Sequence, residues 1–116
     1  MLRLRWRDYR TRAGGRPVND FIDSLTDEEA AAVVAAMRDV TIHGLSRARH
    51  LKDEVYEVRA FGTTRSFRIL FAQETKFVLL SLSAFVKKTG QTPHAELQLA
   101  ASRLRDWRLR GQSRIS

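Results

Sequence analysis

Residues 2–9 alternate, with Leu2, Leu4 and Trp6 on one side and Arg3, Arg5 and Arg7 on the other, which predicts a half-buried strand. After the turn Ala13-Gly14-Gly15-Arg16 the period lengthens. Pro17 opens a short helix whose apolar positions Val18, Phe21, Ile22 and Leu25 follow i, i+3, i+4, i+7 spacing. Thr26-Asp27-Glu28-Glu29 reads as a capping box, in which hydroxyl and glutamate each satisfy an orphan backbone donor. It predicts a second helix, buried through Ala30, Val33, Met37 and Val40 and stopped near Gly44, so that the two helices form a hairpin.

Period-2 patterning then dominates. Residues 55–61 (VYEVRAF) and 65–71 (RSFRILF) predict antiparallel strands around Gly62-Thr63-Thr64, and Gln73-Glu74-Thr75 predicts the turn into a strand over 76–86. Thr92-Pro93 predicts the start of a closing helix with Leu97, Ala100, Ala101 and Leu104 inward. Three strands in hairpin succession, with helices segregated to the two ends of the chain, imply an α+β fold built on an antiparallel sheet. No repeat or linker interrupts the pattern, and 116 residues predict one domain, 1–116.

Composition narrows the function. Apolar residues make up 43% of the chain, enough for a globular core. The chain has no cysteine, so disulfides and thiolate metal sites are unavailable and a reducing compartment is the natural home. The basic start lacks the h-region of a signal peptide, and the longest apolar run is too short to cross a bilayer; the expectation is a cytoplasmic protein away from membranes. Twenty-one basic residues against 13 acidic ones give +8, and 17 of the 21 are arginine. Arginine pairs bidentately with phosphate and stacks on bases, so the balance points to nucleic acid, then to an acidic protein partner. An arginine-rich proteome from a GC-rich genome would give part of the same excess.

The candidate chemistry gathers in the second half. The apolar run from Phe77 ends at Lys87-Lys88, which would deliver two ammonium groups to the lip of the sheet. The alternative is that two lysines simply mark where a core strand reaches solvent. Alternation puts Glu57 and Arg59 on one strand face and Arg68 with Ser66 and Leu70 on one face of the next, so a hairpin can bring Arg59 and Arg68 together near that lip. Four cations around one concavity fit an anion; equally, Glu57 can neutralise Arg59 in a partly buried pair. The acidic residues Asp20, Asp23, Asp27, Glu28 and Glu29 are expected on helix surfaces and the histidines are scattered, so neither a metal centre nor a cofactor is expected.

Taken in order, G-G-R-P-V-x-D-F-I, the helix ending H-G-L, L-K-D-x-V-Y-E-V-R, F-R-I-L-F and F-V-K-K-T-x-x-T-P resemble the phage-derived HigB-type toxins of the RelE/ParE superfamily. The match runs from about Tyr9 to Trp107. The resemblance implies a RelE/ParE-like α+β fold and a type II toxin–antitoxin system. It also implies an endoribonuclease that cuts messenger RNA on the ribosome, silenced by a cognate antitoxin, commonly of helix-turn-helix type. On this chain it implies Arg68 as the phosphate-binding, transition-state-stabilising arginine, with Arg59 second and Lys87 and Lys88 in the basic site after the last strand. Superfamily members often carry lysines on the strand before the arginine, where this chain has Tyr56 and Glu57, or a C-terminal tyrosine or histidine as acid or base. Here the candidate is His94, whose alternative is an exposed first-turn residue without a role. His43 and His50 are expected to be structural or solvent-exposed, and Trp6 and Trp107 to be core anchors. Two other functions stay open: a ParE-like toxin that inhibits gyrase by protein contact, and a catalytically inactive module that binds an antitoxin or nucleic acid.

Overall fold

A computed structural model describes residues 3–88 and 90–114, with side chains through Gly111; Leu2 and Thr89 of the patterns above lie outside them. Strand β1 (Arg5–Asp8) leads to helices α1 (Pro17–Asp23) and α2 (Asp27–His43). A 3-10 turn (Leu45–Arg47) precedes strands β2 (Arg49–Lys52), β3 (Val55–Phe61), β4 (Ser66–Thr75) and β5 (Val78–Val86), and helix α3 (His94–Arg114) closes the order. The strands form one five-stranded sheet, β1-β5-β4-β3-β2. The fold is α+β, as the patterning predicts.

Three layers result. Strands β3, β4 and β5 are buried on both faces, which is why residues 67–72 and 78–83 are all buried. On one face Val18, Val33, Met37 and Val40 of α1 and α2 pack on Val58, Ala60, Phe67, Ile69, Phe71 and Leu79. On the other, Ala100, Leu104 and Trp107 of α3 pack with Tyr9 on Val55, Leu70, Ala72, Leu80 and Leu82. Each fully buried Leu, Ile or Phe here contributes about 1.5–3 kcal/mol. The capping box forms as read: Thr26 accepts from the Glu29 amide and Glu29 accepts from the Thr26 amide. Trp6 donates to the Met37 carbonyl at 2.8 Å, and Trp107 is 6% exposed, so both indoles are anchored in the packing.

Four local expectations change. β1 is parallel to β5, so the sheet is mixed, because β1 and β5 meet only after every other strand and the first two helices have intervened. Residues 49–52, to which the sequence patterning assigns no strand, form β2, an edge strand hydrogen-bonded antiparallel to β3. Gln73, Glu74 and Thr75 belong to β4, which turns two residues later, because Gln73 and Thr75 still find ladder partners in Leu79 and Val78. Glu29 is buried at 8% exposure, since Arg65 grips its carboxylate with two 2.9 Å hydrogen bonds. No helix among the described residues is long and apolar enough to cross a membrane.

Candidate functional site

The register of β3, β4 and β5 stacks three rows of side chains on the face that α3 packs against. The innermost row sets Glu57 opposite Leu70 and Leu70 opposite Ser83, with Arg49 of β2 beside Glu57. The next sets Arg59 opposite Arg68 and Arg68 opposite Phe85. The outermost holds Phe61 opposite Ser66, and the Lys87 amide continues the ladder to the Ser66 carbonyl at 2.9 Å. Same-face rows along a strand are about 7 Å apart. Helix α3 covers the core below the inner row, and its first turn and the preceding segment reach that row. There Glu96 accepts from Ser83 at 2.7 Å and Thr92 donates to Glu57 Oε2. The two outer rows carry the positive charge past the end of the helix.

Glu57 is the hub. Its side chain is 1% exposed, and Oε1 lies 3.5 Å from Arg59 Nε and 3.6 Å from Arg68 Nε. The two guanidiniums differ sharply in exposure, Arg59 at 44% and Arg68 at 6%. Arg68 also donates from Nη1 to the Phe67 carbonyl at 3.1 Å, so it is held inside the wall while Arg59 faces outward over it. Burial pushes the Arg68 guanidinium below its ordinary value; the Glu57 charge opposes that, and Arg59 and Arg49 add to it. Directly opposed arginines repel at this spacing, and a buried carboxylate between them is what allows both to stay. Glu57 therefore does pair with Arg59, as one of the two alternatives had it, and it pairs with the buried Arg68 as well.

The remaining candidates are distributed around this centre. Lys87 shares the outer row with Ser66 and Phe61. Lys88 lines a cleft of about 590 Å³ with Phe21, Ala84 and Pro93, toward α1. His94 begins α3 and lines a different cleft of about 470 Å³, between that helix and the β2–β3 turn, with Lys52, Asp53, Arg105 and Arg108. The structure thus brings Arg59 and Arg68 into one row and Lys87 into the next, and sets Lys88 and His94 at either side. His50 donates from Nε2 to the Asp53 carbonyl, 2.6 Å away, and holds the β2–β3 turn. Among the described residues no three His, Asp or Glu side chains cluster so as to hold a metal ion.

Two site residues escaped the sequence reading. Arg49 lies on β2, a strand of four residues whose only signal in the sequence is the alternation of Arg49 and Leu51 around His50, too short to stand out. Thr92 read as a helix start, and its bond to Glu57 spans 35 residues of sequence, which no local pattern reports.

Comparison with known proteins places the chain among relatives. Residues 20–105 match the family of phage-derived Gp49-like proteins. Two relatives, each named probable endoribonuclease HigB1, come from Mycobacterium tuberculosis strains CDC 1551 / Oshkosh and ATCC 25618 / H37Rv. Each is 26% identical over 106 residues, covering 89% of this chain and 84% of the relative. The matched span contains the strands that bear Arg49, Glu57, Arg59, Arg68 and Lys87 and most of α3. The chain belongs to the Gp49-like family of phage-derived proteins, a RelE/HigB-type toxin family.

Proposed function

We propose that this chain is the toxin of a type II toxin–antitoxin pair and acts as an endoribonuclease on messenger RNA at the ribosome, inhibiting translation. One observation carries the reading: Arg59, half-exposed, is aimed outward by the buried Glu57–Arg68 pair, with Lys87 one row beyond. Fixed cations converging past a helix end suit an anion whose charge grows during reaction. The family and the ribonuclease name of the two relatives support the same chemistry.

In the proposed reaction the ribose 2′-oxygen bonds to the adjacent phosphorus and the bond to the 5′-oxygen breaks. The products are a 2′,3′-cyclic phosphate and a 5′-hydroxyl end. Arg59 donates to the non-bridging oxygens as their charge develops, and Arg68 supports it from below; a single preorganised donor of this kind contributes about 3 kcal/mol to the barrier. Lys87 and Lys88 hold flanking phosphates as point charges. The 2′-hydroxyl proton passes to a base, for which His94 in the neighbouring cleft is the side-chain candidate, and the 5′-oxygen leaves with a proton from solvent. A cognate antitoxin of helix-turn-helix type covers this basic face until it is degraded, and both partners act in the cytoplasm.

The test is induced expression with parallel measurement of translation, DNA supercoiling and messenger RNA 5′ ends. The expected outcome is translation arrest with new 5′ ends, lost in Arg59→Ala. Continued protein synthesis together with lost supercoiling would instead establish gyrase inhibition.

A further inference from the structure

Phe61 is 69% exposed, although it ends a strand whose other positions are largely committed to packing or ion pairs. Single exposed apolar residues are ordinary on protein surfaces, and Leu109 is exposed at 72% with nothing around it that suggests a use. Phe61 differs in its neighbours. It stands in the outer row with Ser66 and Lys87, one row past the Arg59–Arg68 pair on the same face. It cannot turn inward, because the opposite face of the strand is occupied by Ala60 at 2% exposure beside the fully buried Phe67.

Its backbone is also clamped. The Gly62 amide donates to the Arg65 carbonyl at 2.8 Å, and a Cβ at Gly62 would stand 2.9 Å from that oxygen. Arg65 is in turn held by Glu29 through two hydrogen bonds, and Thr63 donates to Glu28, so the turn after Phe61 is tied to the first turn of α2. A rigidly presented ring beside fixed cations is the arrangement that proteins use to bind single-stranded nucleic acid: cations track the backbone and the aromatic face takes a base.

Building on the ribonuclease reading, we infer that Phe61 is a stacking platform for an unpaired nucleobase of the RNA strand, next to the phosphate held by Arg59. The ring would position the substrate without touching the reacting atoms. Stacking accepts any base, so the contact adds affinity and register with little sequence preference.

The test measures binding of a labelled single-stranded 2′-O-methyl RNA, which has no free 2′-hydroxyl to react, beside an abasic oligomer of the same length. Phe61→Ala is expected to weaken binding of the RNA about tenfold and leave the abasic oligomer unaffected. Phe61→Trp is expected to retain affinity and to show indole fluorescence quenched by the RNA but not by the abasic strand. Equal affinity of wild type and Phe61→Ala for the RNA would overturn the inference and leave the ring to a protein contact. Equal losses on both oligomers would overturn it too, since the ring would then only shape the surface. A wild-type protein that binds neither oligomer would also overturn the inference, whereas the ribonuclease reading stands or falls separately on the new messenger RNA 5′ ends in expressing cells.

Discussion

At the scale of single residues, burial divides the arginine pair into two jobs. Removing one partner of a buried ion pair leaves an uncompensated charge, which costs about 3–5 kcal/mol, whereas exposed pairs contribute about 1 kcal/mol or less. Arg68→Ala should therefore destabilise the protein by roughly 3–5 kcal/mol, because Glu57, at 1% exposure, would keep only Arg59 and Thr92. Arg59→Ala should leave stability within about 1 kcal/mol of wild type while lowering RNA cleavage by about a hundredfold or more. Urea denaturation beside cleavage of a defined transcript checks both. The double replacement Glu57→Leu with Arg68→Met should recover most of the stability lost in Arg68→Ala, since it removes both charges together. It should not restore cleavage, since Arg59 would then have nothing to aim it. If the double variant cleaves RNA normally, the positioning role of the pair is wrong.

At the scale of elements, ion pairs tie the ends of helices to turns and strands far away in sequence. The Arg65 guanidinium bonded to Glu29, with help from the Thr26 amide, holds that carboxyl at about 2 against an ordinary 4.5. The Tyr9 hydroxyl, with Arg110 and Arg12, holds Asp106 of α3 at about 2 against an ordinary 3.8. Carboxyls that bind protons less readily in the folded state stabilise the fold above their unfolded values. Their contribution disappears as pH falls through the window from about 4.5 to 2. Folding stability measured across that window should decline in wild type and decline less steeply in Glu29→Gln. Identical slopes would mean that the link between α2 and the β3–β4 turn adds no pH-dependent stability. Thr26→Ala should lower stability by about 1 kcal/mol at neutral pH through loss of the cap alone.

For the whole molecule, the +8 charge acts as a field that no single residue owns. Binding to a single strand releases about 0.7 counterions per phosphate neutralised, so three contacts by Arg59, Lys87 and Lys88 would give a slope near −2 in log affinity against log salt. Raising salt from about 50 to about 200 mM should then weaken RNA binding roughly twentyfold. Arg59→Ala should flatten that slope, whereas Arg105→Ala on the exposed side of α3 should change affinity slightly and leave the slope alone. A salt-independent affinity would show that the basic face is not where RNA binds.

The positions of α1, α2, β3 and the start of β4 were legible in the sequence because their period is local: Val33 with Met37, Phe67 with Ile69 and Thr26 with Glu29 each state their geometry within a few residues. The same alternation placed Arg59 and Arg68 on matching faces of a hairpin, and the tight turn between them left one plausible register. Contacts closed across long sequence separations were decided by the tertiary structure. The parallel seating of β1 on β5 joins Arg5 to Val78, and Thr92 reaches Glu57 across 35 residues. Burial was decided there too. Charge patterning made Arg68 and Arg59 equal cations; in the folded sheet Arg68, between Arg59 and Phe85 and against Glu57, is closed to water while Arg59 stays open. Hydrophobic periodicity reports which face a side chain takes; how much of that face is covered depends on strands and a helix that are distant in sequence, and only the folded chain brings them there.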